Sequence, residues 1–137
     1  MRLLWAVDHG LQSVSKRMRQ ELGVTGPQRL VVRIVGKFPG IGAKELADIL
    51  HVHPSTLTGV LRRLEERGLI ARQPDPSDGR RALLNLTGLG NALNRTSSET
   101  VEARVRAALA RQPGRRIEDA RAVLQGLVEE LMRHRGR

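Results

Sequence analysis

The stretch Pro54-Ser55-Thr56-Leu57-Thr58-Gly59-Val60-Leu61-Arg62-Arg63-Leu64-Glu65-Glu66-Arg67-Gly68 opens on a proline and closes on a glycine. Proline has its φ preset for a first helical residue and lacks an N–H that would go unsatisfied there, and glycine takes the left-handed conformation that ends a helix. Between them Leu57, Val60, Leu61 and Leu64 recur at steps of three and four, so they share one face. The opposite face carries Ser55, Gly59, Arg62 and Glu66, flanked by Thr58 and Arg63. The pattern predicts a helix from Pro54 to Arg67, held down by aliphatic side chains and presenting a surface small at its start and basic farther on.

Working outward, residues 42–50 form a short helix with Leu46, Ile49 and Leu50 apolar, and His51-Val52-His53 makes a tight connection to the helix at Pro54. Before it, residues 27–38 read as a helix with Pro27 in its first turn and Leu30, Val31, Ile34 and Val35 on its apolar side, closed by Phe38-Pro39-Gly40. After Gly68 the period changes. Leu69-Ile70-Ala71-Arg72-Gln73 and Ala82-Leu83-Leu84-Asn85-Leu86 read as strands on either side of the turn-rich Pro74-Asp75-Pro76-Ser77-Asp78-Gly79, which together make a hairpin. Thr87 then stands as the N-cap of a helix running from about Gly88 to Arg111. A short helix, a tight turn, a second helix and a hairpin in this order make a winged helix-turn-helix.

Such a lobe suits duplex DNA. Gly59 permits close backbone approach, the hydroxyls of Ser55, Thr56 and Thr58 offer partners for phosphates or base edges, and Arg62 can reach a guanine or a phosphate. Arg62 and Arg63 read equally well as a solvated face paired with Glu65 and Glu66. At the hairpin tip, Asp78-Gly79-Arg80-Arg81 places arginines where a narrow minor groove concentrates negative potential, and a carboxylate such as Asp78 can hold a guanidinium by bidentate pairing.

The two ends of the chain are amphipathic helices. Leu4, Val7, Leu11, Val14 and Met18 form one stripe, which stops near Gly23; Ile117, Ala120, Leu124, Leu127 and Leu131 form another, after a break at Pro113-Gly114. These helices are long relative to the middle segment, so part of each stripe is expected to be covered by a second copy of the chain. The expected organisation is mainly α with a small β-hairpin wing: a winged helix-turn-helix lobe over 26–87, flanked by a helical dimerisation region over 1–25 and 88–137. Leu4, Val7, Leu11, Val14, Ile117, Leu124, Leu127 and Leu131 are the dimerisation residues.

The motifs Pro54-Ser55-Thr56-Leu57-Thr58, Leu64-Glu65-Glu66-Arg67-Gly68-Leu69-Ile70, Asp75-Pro76-Ser77-Asp78-Gly79-Arg80-Arg81 and Leu86-Thr87-Gly88-Leu89-Gly90 resemble the MarR family of bacterial transcriptional regulators. The resemblance implies a triangular homodimer built from the first, fifth and sixth helices, with two winged lobes on a roughly palindromic operator. It implies a helix from Pro54 in the major groove, with Pro54, Ser55, Thr56, Thr58, Gly59, Arg62 and Arg63 facing DNA, and a wing with Asp78, Arg80 and Arg81 in the minor groove. Gly59 departs from the larger polar or basic residue that members often carry there. The expected role is a repressor whose partners are duplex DNA, a second copy of itself and, as in many members, a small-molecule effector. A winged-helix protein-interaction module, or one binding nucleic acid without sequence preference, is the alternative.

Composition supports the same direction. The 137 residues suit one compact domain with arms, and 24 Lys and Arg against 14 Asp and Glu give a net charge of +10, a field that attracts polyanions. Trp5 and Phe38 are the only aromatic residues, so Leu, Val, Ile and Ala must build the core and few stacking groups exist for single-stranded RNA. Absence of cysteine excludes disulfides and thiolate chemistry. Four histidines, His9, His51, His53 and His134, lack the partners a nucleophile or general base needs, and His51-x-His53 reads as a turn before it reads as a metal fragment. No enzyme activity, cofactor or metal is expected, and the short apolar opening at 3–7 neither spans a membrane nor makes a signal peptide, so the expected location is the cytoplasm.

Overall fold

The computed structural model describes residues 1–96 and 98–133; His134 and the last residues of the expected dimerisation region lie outside them. Among the described residues seven helices and three strands follow in the order α1 (Arg2–Leu22), α2 (Gly26–Lys37), β1 (Ile41–Gly42), α3 (Ala43–Leu50), α4 (Pro54–Glu66), β2 (Ile70–Pro74), β3 (Ala82–Leu86), α5 (Gly88–Arg95), α6 (Val101–Leu109) and α7 (Gly114–Met132). They divide into two compact units, Met1–Val101 and Glu102–Arg137. The helices expected to flank the lobe at α1 and α5 thus pack in the same unit as the lobe.

The core of the first unit is aliphatic. Val24, Val31, Val32 and Val35 of α2 and its approach meet Leu46 and Ala47 of α3, Leu57, Leu61 and Leu64 of α4, and Ile41, Leu69, Ile70 and Leu84 around the sheet. Both aromatic residues stay outside it, Phe38 half exposed and Trp5 more so. Burying a leucine or isoleucine contributes about 1.5–3 kcal/mol, so the three leucines of α4 fix which way that helix faces.

Local chemistry sets the element ends. Thr25 caps α2 by accepting from the Gln28 amide while the Gln28 side chain accepts from the Thr25 amide, a reciprocal box written in the sequence as Thr-x-x-Gln. Arg29, 2% exposed, lies one helical turn inside and sends its guanidinium to the carbonyls of Leu93, Asn94 and Thr96 at the end of α5. The Leu93 carbonyl also accepts from the Thr96 amide that caps α5, and a cation at these terminal carbonyls opposes the negative end of the helix dipole.

Two features differ from the sequence-based expectation. The helix expected from Gly88 to Arg111 stops at Arg95, where Thr96 takes an extended conformation, and starts again at Val101. The hydroxyl-rich run from Thr96 to Thr100 prefers caps and turns to helix interior, and the Arg29 guanidinium stabilises the broken end. The wing also gains a third strand. Ile41 and Gly42 pair antiparallel with Leu84 and Leu83, so the sheet order is β1-β3-β2 and β3 is central.

In the second unit, α6 from Glu102 onward and α7 bury no residue. Arg121–Glu118 and Arg133–Glu130 pairs three residues apart decorate α7.

Candidate DNA-binding surface

The helix α4 begins as the sequence predicts, with Pro54 in its first turn, and its N-cap is His53. The backbone N–H of Ser55 donates to His53 Nδ1 at 3.3 Å, and Ser55 Oγ lies 2.7 Å from the same nitrogen. The reading of His51-x-His53 as a turn rather than a metal fragment fits this arrangement: His51 adopts the left-handed conformation that ends α3, and His53 caps α4. Among the described residues no group of three or more His, Asp or Glu could hold a metal.

With Leu57, Leu61 and Leu64 buried, the remaining surface of α4 falls outward as expected. Pro54, Ser55, Thr56, Thr58, Gly59, Arg62 and Arg63 are all exposed. Thr58 donates its hydroxyl to the Pro54 carbonyl at 2.9 Å, and a Cβ placed on Gly59 would meet nothing within 4 Å. Arg62 pairs with Glu66 at 2.8 Å on the solvated side of the helix. That exposed pair contributes at most about 1 kcal/mol, so a phosphate can displace the glutamate at little cost. Arg63 has no ion-pair partner among the described residues.

Beyond α4, Arg67 donates to the carbonyl of Gly23, the left-handed residue ending α1, so the far end of the exposed helix is tied to the first helix of the chain. Glu65 pairs with Arg72 of β2 and joins α4 to the hairpin. At the hairpin's other end Thr87 donates to the Gly68 carbonyl and accepts from the Gly90 amide, while Gly90 packs so closely on the Leu69 carbonyl that a side chain has no room. The opening of α5 and the root of the wing are thereby riveted together.

The tip itself is an ordered turn. Asp75 accepts from the Ser77 hydroxyl at 2.6 Å and from the Ser77 amide at 2.8 Å, and these bonds hold its carboxyl below the ordinary aspartate range. Asp78, expected to hold a guanidinium, instead accepts through Oδ1 from the backbone N–H of Arg80 at 3.1 Å, and no ion pair joins it to an arginine among the described residues. The local bond wins because a carboxylate two residues before an amide closes an Asx turn without ordering a long side chain. The Arg81 guanidinium lies beside Gly42 of β1, whereas Arg80 is exposed and carries no ion pair among the described residues. Sequence reasoning missed the cap at His53, the tie from Arg67 to Gly23 and the buried Arg29.

A face of hydroxyls and arginines on one helix thus stands next to a hairpin with an arginine tip. Residues 24–82 match the MarR family. The HTH-type transcriptional repressor Rv2887 of Mycobacterium tuberculosis is 37% identical over 109 residues, covering 80% of this chain and 76% of that one. The chain belongs to the MarR family. Rv2887 in complex with salicylic acid superposes with a TM-score of 0.60 at 31% identity, covering 91% of this chain and 93% of that one. The S. aureus MepR–DNA complex, at 20% identity, shares the fold with a TM-score of 0.79 over 95% of this chain and 96% of its own. As a MarR protein, the chain is a DNA-binding transcriptional regulator of winged-helix fold and not an enzyme. Among the described residues no helix is long and apolar enough to cross a membrane.

Proposed function

We propose that the chain is a homodimeric repressor that binds a pseudo-palindromic operator, each subunit laying α4 in the major groove and its wing in the adjoining minor groove. The observation that carries the proposal is the two-sidedness of α4: buried leucines on one side, and on the other Ser55, Thr56, Thr58, Gly59, Arg62 and Arg63 free of the core. Arg80 at the tip supplies the minor-groove cation, with Arg81 behind it. The name of Rv2887 as a repressor and the MepR–DNA complex support the same reading.

The dimer rests on what one chain leaves uncovered. Val7, Leu11 and Leu4 of α1 and Leu124 and Leu131 of α7 are exposed, the last at 71%, while Val14, Ile117 and Leu127 are half covered. Apolar stripes of this length at both ends of a chain are buried when two copies associate. A small-molecule effector belongs to the same proposal, supported by the salicylic acid held by Rv2887; titrating salicylate into the protein–DNA complex and following release tests it.

Footprinting the DNA flanking the gene at several salt concentrations tests the whole reading. Two protected half-sites about one helical turn apart are expected, with affinity falling steeply as salt rises. Equal retention on any polyanion, with no footprint, would leave a module without sequence preference, which the +10 charge alone would also produce. Replacing the tip arginine, Arg80→Ala, is expected to weaken binding to most operators by about tenfold at physiological salt, measured by fluorescence anisotropy; unchanged affinity removes the wing from the interface.

A further inference from the structure

Two hydroxyls on the outer face of α4 have already committed their protons. The Ser55 amide can only donate, so its bond to His53 Nδ1 at 3.3 Å means that this nitrogen carries a lone pair and the ring proton sits on Nε2. Ser55 Oγ, 2.7 Å from that same lone-pair nitrogen, must then be the donor of their contact. Thr58, three residues on, donates its hydroxyl proton to the Pro54 carbonyl at 2.9 Å. Both oxygens therefore face outward with lone pairs alone. Gly59, adjacent, leaves the space beside them open.

An oxygen without a proton to give is a poor neighbour for a phosphate, whose oxygens only accept. It matches an N–H donor. In the major groove the exposed donors are the amino groups at adenine N6 and cytosine N4. We propose that Ser55 and Thr58 form an acceptor-only pair that reads adenine or cytosine amino groups, and that His53 is the positioning residue that sets the polarity of Ser55. The proposal rests on the reading of α4 as the major-groove helix. Residues three apart on a helix have Cβ atoms about 5–6 Å apart, against a rise of about 3.4 Å per base pair, so the two oxygens address neighbouring or next-neighbouring base pairs.

The experiment selects duplexes from a random pool with the whole chain, then replaces each chosen adenine or cytosine in turn by an analogue lacking the exocyclic amino group. Wild type is expected to enrich adenine or cytosine at two nearby positions and to lose roughly fivefold in affinity for each missing amino group. Ser55→Ala binds the amino and the des-amino duplex equally at one of these positions. His53→Ala loses the preference at that position and keeps the one read by Thr58, whereas His53→Asn, whose side-chain oxygen still accepts, keeps both. A Ser55→Ala variant weakened by the same factor on every duplex is the signature of a phosphate contact and overturns the proposal, as does a His53→Ala variant with the wild-type base preference. A pool from which wild type enriches nothing overturns the reading of the chain as a sequence-specific regulator, and this inference falls with it.

Discussion

Gly90 shows how much one hydrogen atom can decide. A methyl group there would run into the Leu69 carbonyl and press on the Leu86 side chain, both of which are held by the wing. The backbone on either side is pinned, because Thr87 bonds Gly68 and Gly90 and the Thr87 amide donates to Leu69. Overpacking of this kind costs about 1–3 kcal/mol, so Gly90→Ala is expected to lower the melting temperature by several degrees in a calorimetric scan. An unchanged melting temperature would mean that the wing root shifts freely. The Leu-Thr-x-x-Gly pattern was legible in the sequence as a family feature; its physical reason, a helix start jammed against a strand end, needed coordinates. The buried guanidinium of Arg29 was not legible at all, since its partners at Leu93 to Thr96 lie more than 60 residues along the chain and an arginine inside an amphipathic helix ordinarily faces water. His53 was read as part of a turn, which it is. Its capping nitrogen could not be anticipated from composition, because Ser, Thr, Asp and Asn are the usual caps.

At the level of elements, periodicity served well wherever one side of a segment is buried. The leucines of α4, the change of period around the turn-rich hairpin tip and the proline and glycine punctuation placed α2, α3, α4, β2 and β3 within a residue or two. The pattern failed in two places, each for its own reason. Strand β1 is only two residues long, too short for any alternation to register. The break between α5 and α6 depends on Arg29, a distant side chain, while the local apolar spacing runs on. The wing tip supports a pH prediction. Asp75 titrates below its ordinary value chiefly because the Ser77 hydroxyl and amide donate to the ionised carboxylate. A depressed acid stabilises the turn at every pH above its unfolded value and loses that contribution as pH falls through the folded value. Ser77→Ala removes the strongest donor, so the carboxyl resonance of Asp75 is expected to titrate at higher pH, followed by NMR. An unmoved midpoint would place the cause elsewhere.

Across the described residues, α1 and α7 each leave a run of apolar side chains bare, Leu3, Leu4, Trp5, Val7 and Leu11 on the first and Val123, Leu124 and Leu131 on the second. Leu124, 56% exposed, tests whether a second copy covers them. Within one chain Leu124→Glu exposes nothing new and should leave helicity intact, but in a dimer it buries an unpaired carboxylate at the seam. Sedimentation is expected to show two associated chains for the wild type and single chains for the variant; equal mass for both would exclude α7 from the seam. The sequence made these stripes visible, because period alone reveals an apolar helix face. It could not say what covers them, since a stripe looks the same whether its partner is the same chain or another.

Trp5 gives this molecule a built-in optical reporter. It is the sole tryptophan, there is no tyrosine, and its indole stands 67% exposed near the start of α1. Ultraviolet-excited emission therefore comes from one ring at one end of one helix, and it shifts to shorter wavelength when water is expelled from that end. Events confined to α4 and the wing occur where there is no indole, and leave the colour of the light as it was.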